Sequence, residues 1–146
     1  MKPINVEVIV AMAVNVIVMF IGWYIVNRQA EKREKDKEKR LLAEKTIGLV
    51  EELEECAIAY HKGNKEKEHQ VNILLEKTSR YLHRLHLDQF IYQNIHIIEL
   101  RQAIALYNFG SDWLEAYSDD SSLINGIRLA CNKMILFIDN EIIKIS

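Results

Sequence analysis

The sequence predicts an all-α protein built from a single N-terminal transmembrane helix, a charged helical stalk and a C-terminal up-down helical bundle. Three observations predict it. Residues 8–27 are 20 consecutive positions without a charge. Residues 28–45 hold eight Lys and Arg with five acids among them. From residue 46 onward, apolar residues recur every three or four positions, the period of a helix face. The 146-residue chain has one Pro and five Gly, far fewer turn formers than an all-β sandwich needs. Its bulk composition is 49% hydrophobic and 27% charged with net charge −2. That excludes a wholly disordered chain, a collagen-like chain and a strongly basic nucleic-acid binder. Two Cys cannot make a disulfide framework.

Residues 1–27 are expected to form the anchor, with the span at about 8–27. Twenty helical residues rise roughly 30 Å, the thickness of a bilayer's hydrocarbon core. A cleaved signal would place its positive charge ahead of the apolar run and a small-residue site behind it. Here only Lys2 and the amino terminus precede the run, Ala11 and Ala13 lie inside it, and Arg28 with a dense basic stretch follows. Basic flanks stay cytoplasmic, so the N-terminus is expected outside and residues 28–146 inside. Trp23 and Tyr24 sit near the inner end, where amphipathic rings favour the headgroup layer. Arg28, Lys32 and Arg33 come next and are expected to meet lipid headgroups.

One face of the anchor carries a further signal. At 100° per residue from Glu7, Ala11, Asn15, Val18 and Gly22 fall within about 80° of arc. Small residues let helix backbones approach, and Asn can hydrogen-bond across the contact. The stripe therefore predicts self-association or docking on another membrane subunit; the bland rival is a tolerated Asn on a monomeric anchor.

The stalk occupies residues 28–45. In residues 28–40 only Ala30 is apolar, so no face is available to a core. Glu31 can pair with Lys35 and Asp36 with Arg40, both at i,i+4 in the favourable order. With no Gly or Pro between Trp23 and Ile47, a continuous helix is expected, and a solvated tether is its alternative.

Residues 46–146 read as a cytoplasmic helical bundle. Ile47, Val50, Leu53, Ala57 and Tyr60 form one stripe, which Gly63-Asn64 ends. Val71, Leu74, Leu75, Thr78, Leu82 and Leu85 form a second. A third helix, capped by Asp88 and ended by Gly110, would turn Ile91, Ile95, Ile98, Ala105 and Phe109 inward. The last, started by Ser121 or Ser122, would bury Ile124, Ile127, Cys131, Ile135, Ile138 and Ile142. Four helices with short connections favour an up-down bundle. The third and fourth are apolar on more than one side, through Phe90, Ile97 and Leu106 and through Leu129, Leu136 and Ile145. Such surplus marks a second copy or another membrane or cytoplasmic protein as partner. With ten Lys and Arg against fifteen acids, this part should avoid nucleic acid.

Candidate chemistry is thin. His83 and His86 at i,i+3, with Asp88 beyond, are the weak metal candidates. No Cys or H-E-x-x-H pattern completes them, and Arg80 and Arg84 oppose a cation. His61, His69 and His96 have no partner set by spacing. Asp112, Glu115, Asp119 and Asp120 lack the order of a calcium loop and read as a solvated connection with helix caps. Cys56 and Cys131 fall on or near apolar stripes and read as reduced, buried thiols. No phosphate loop, nucleophile elbow or dinucleotide fingerprint is present, so no cofactor or small-molecule substrate is implied.

The expected function is therefore non-enzymatic. The anchor fixes location in a bacterial inner membrane, the stalk sets distance, and the bundle binds a partner or itself. An accessory or regulatory subunit of a membrane complex fits, as does a small effector in conflict between phage and host. A membrane-active oligomer assembled through Asn15 is the alternative, and a small metal- or acid/base-dependent enzyme is the second.

Overall fold

A computed structural model of the chain describes residues 6–85, 90–105 and 116–144. Within them the protein is all-helical, 91% helix in four helices and no strands. The helices are α1 (Val6–His61), α2 (Lys67–Leu85), α3 (Phe90–Ala105) and α4 (Ser122–Lys144). The chain divides into two compact units, residues 1–38 and 39–146, and α1 contributes to both.

In the first unit, every described residue from Val6 to Lys35 is exposed. The apolar run forms helix without burying a face, because it has no neighbouring element to pack against. Its β-branched Val and Ile residues lower helix propensity only slightly.

The second unit holds one apolar core to which all four helices contribute. Val50, Leu53, Ala57 and Tyr60 come from α1, and Val71, Leu74, Leu75 and Leu82 from α2. Ile97, Leu100 and Ile104 come from α3, and Leu123, Ile127, Cys131, Met134 and Ile138 from α4. α3 packs on both α2 and α4. The stripes expected on α1, α2 and α4 match these lists closely. That on α3 does not. Ile95 and Ile98 are 49% and 51% exposed, while Ile97, Leu100 and Ile104 on the opposite face are buried. The helix is apolar all round, so its own pattern held no preference, and the neighbours it packs on decided which face turned inward.

Helix ends follow from local chemistry. At the end of α1 the Gly63 amide donates to the Tyr60 carbonyl and the Asn64 amide to the Ala59 carbonyl, at 3.0 and 3.1 Å. This is the paired closure of a Schellman turn. It needs a left-handed residue, which Gly63 supplies at φ 109°. At the start of α4 the Ile124 amide donates to Ser121 Oγ at 3.3 Å, so Ser121 is the cap. The positions expected to bound α3, Asp88 and Gly110, lie outside the described residues, as do Asp112, Trp113, Glu115 and Ile145.

Candidate functional site

Two regions carry unusual chemistry, one in each unit. In the first, α1 contains a stretch long and apolar enough to span a membrane. Sixteen large apolar side chains between Val6 and Val26 stand 48–74% exposed. Ala11, Asn15, Val18 and Gly22 all lie on this stretch and are exposed. A methyl group added at Gly22 would meet nothing within 4 Å, as everywhere along a stretch exposed on all sides. Trp23 and Tyr24 follow at 65% and 61% exposure. Arg28, Lys32 and Arg33 are exposed one turn and more beyond them.

The second region centres on His61, which sequence reasoning passed over. The side chain is fully buried at the last turn of α1. Its Nε2–H donates to the Ile104 carbonyl of α3 at 2.8 Å. That bond sets the tautomer and leaves Nδ1 as a bare acceptor, buried without a hydrogen-bond partner among the described residues. The Tyr60 and Tyr117 rings meet the imidazole edge-on, with centroids 5.0 and 6.2 Å away. Burial holds the His61 pKa below its usual 6.5, only partly offset by the bond to Ile104. A signal was available: Leu53, Ala57 and His61 recur at i,i+4, so His61 continues the buried stripe.

Around His61 the connection leading into α4 is fastened to the α1–α2 turn. The Tyr117 amide donates to the His61 carbonyl at 2.9 Å. Asp119 Oδ1 accepts from Lys62 at 2.5 Å and lies 3.4 Å from Arg128 of α4. The Lys62 hydrogen bond, with Arg128 nearby, holds the Asp119 carboxyl below its ordinary range. The described acids of this connection, Asp119 and Asp120, are exposed, and Asp119 pairs at the surface with Lys62 and Arg128.

The other titratable candidates are separate from this node. His83 is exposed in the last turn of α2, while His86 and Asp88 lie outside the described residues. Among the described residues no group of three or more His, Cys, Asp or Glu is placed to hold a metal. Cys56 and Cys131 are buried free thiols. Burial raises both, Cys131 to about 12, with the Glu54 charge adding to it. At neutral pH they stay protonated and are poor nucleophiles. His96 stacks at 4.5 Å on Phe137 with Nδ1 3.8 Å from Glu99. No protein-family model, curated protein or solved structure matches the chain.

Proposed function

We propose that the protein is a single-pass membrane-anchored adaptor, whose helical unit at the cytoplasmic face binds another protein or a second copy without catalysing a reaction. The observation that carries this reading is the exposed apolar stretch of α1. Sixteen large apolar side chains there have no cover within the protein. Removing each from water is worth on the order of 1.5 kcal/mol or more. The total exceeds the roughly 5–15 kcal/mol that holds a whole domain folded, so the stretch needs an apolar surrounding. A bilayer supplies one along its full length.

The charges supply the sidedness. Residues 28–45 hold eight cations against a single Lys before the span, which favours a cytoplasmic second unit.

The test exchanges the anchor. Residues 1–27 are replaced by an unrelated span of equal length in the full chain, and partners are captured by crosslinking in native membranes and identified by mass spectrometry. The adaptor reading expects the same crosslinked species from both chains. Loss of every species on exchange would assign the activity to the span itself, as the membrane-active oligomer requires.

A further inference from the structure

The first turns beyond the apolar stretch of α1 gather cations on one face. At 100° per residue, Tyr24, Arg28, Lys32 and Lys35 fall within about 80° of arc, whereas Arg33 stands about 140° from Arg28. Those four side chains are exposed and line one groove on the helix surface, with Glu31 beside them and Arg33 outside it. Among the described residues none of the three cations has an ion-pair partner, so the expected pairing of Glu31 with Lys35 is not made. Three cations against one acid leave the groove a net charge of +2.

Position selects the anion that this surplus attracts. Asn27 ends the uncharged run. Arg28, Lys32 and Lys35 start roughly 1.5, 7.5 and 12 Å beyond it along the helix. Helical side chains lean toward the helix N-terminus, which here is back toward the span. Long Arg and Lys stems also carry their charged heads along a surface to the nearest polar layer. The three charges therefore converge on the headgroup layer, roughly 5–7 Å deep. Tyr24 stands at the base of the groove at 61% exposure, where a phenol hydroxyl can donate to a phosphate oxygen.

We propose that this groove binds the phosphate of an anionic phospholipid. Arg28 can take two phosphate oxygens with its planar fork, and Lys32 and Lys35 act as point charges above it. The consequence is selectivity. A zwitterionic lipid offers the same phosphate but brings its own cation, which the net charge of the groove repels. An anionic lipid brings none, so it gathers around the end of the span. The proposal rests on the anchoring argued above and holds on whichever side of the membrane the groove lies.

The test reconstitutes the full chain in vesicles with the same composition in both leaflets. A single fluorophore is set at the groove by Tyr24→Trp with Trp23→Phe and Trp113→Phe. Quenching is compared for acyl-brominated phosphatidylglycerol and acyl-brominated phosphatidylcholine at the same mole fraction. The anionic lipid is expected to win the site several-fold, since each cation near an anionic surface contributes about fivefold. Lys32→Gln should lower that preference several-fold. Arg33→Gln, one residue on and outside the groove, should leave it unchanged, and Glu31→Gln should raise it. Equal quenching by the two lipids would overturn the site. Equal losses from Lys32→Gln and Arg33→Gln would also overturn it, leaving only diffuse attraction to the stalk. Inorganic phosphate on both sides of the vesicle, at constant ionic strength, is expected to leave the preference intact; its loss would assign the groove to a soluble phosphate instead. No quenching by either lipid would refute the anchoring itself, a failure distinct from quenching by both alike.

Discussion

At the residue scale, His61 is the most informative side chain in the second unit. Its Nε2–H donates to the Ile104 carbonyl, and a second proton taken up at Nδ1 would find no acceptor among the described residues, so burial favours the neutral imidazole. Its folded pKa lies below the 6.5 of the unfolded chain. As pH falls through 6.5 the unfolded state takes up a proton that the folded state refuses. Stability is thus full above 6.5 and declines below it until the folded pKa is reached. Denaturant titrations should show this acid-side loss in the native chain and a flatter profile from pH 7 to 5 in His61→Gln. Two buried threonines make a paired contrast. Thr46 Oγ1 donates to the Leu42 carbonyl at 2.7 Å, whereas the buried Thr78 hydroxyl has no partner among the described residues. Thr78→Val should raise stability by about 1 kcal/mol, and Thr46→Val should lower it by a similar amount. Urea midpoints of the two variants decide it.

At the element scale, the turn after α1 depends on one backbone conformation. Gly63 sits at φ 109°, and its nearest neighbour to an added methyl group, Ala116 Cβ, is an ordinary 3.6 Å away. Space is therefore not the constraint; conformation is. Gly63→Ala should cost about 1 kcal/mol, read as a lower midpoint in chemical denaturation, while Asn, which tolerates the left-handed region, should cost less. Legibility also differed by element. α1 and α2 each carry a single apolar stripe in residues 46–85, so Leu53, Ala57, Val71 and Leu82 could be assigned to the core from spacing alone. α3 has apolar residues on every side, and no periodicity could tell that Ile97 and Ile104 would be buried while Ile95 and Ile98 would not. A serine cap at position 121 or 122 was legible because its chemistry is local, and the Ile124 amide decides for Ser121. His61 escaped because a polar residue on an apolar stripe is discounted unless its distant acceptor, here Ile104, is known. The pairing of Asp119 with Lys62 escaped for the same reason, since the two are distant in sequence.

For the whole molecule, the two units divide the chemistry between them. Among the described residues, those of the first unit leave their apolar side chains exposed, whereas those of the second build a shared core that includes Cys131 at 0% exposure. Cys131, with its thiol raised to about 12, should resist alkylation at pH 7.5 in the folded protein and react only as denaturant opens the core. Labelling that tracks the loss of helix would report one cooperative unit, and rapid labelling without denaturant would show that the core opens by itself. The central claim concerns the other unit: the stretch around Asn15 resides in lipid. Its most direct measurement is sedimentation of the full chain from disrupted cells after washing the membranes at alkaline pH, with and without detergent. The account predicts that the chain pellets with the membranes after the wash and is released by detergent alone. Recovery of the chain in the supernatant without detergent would contradict it.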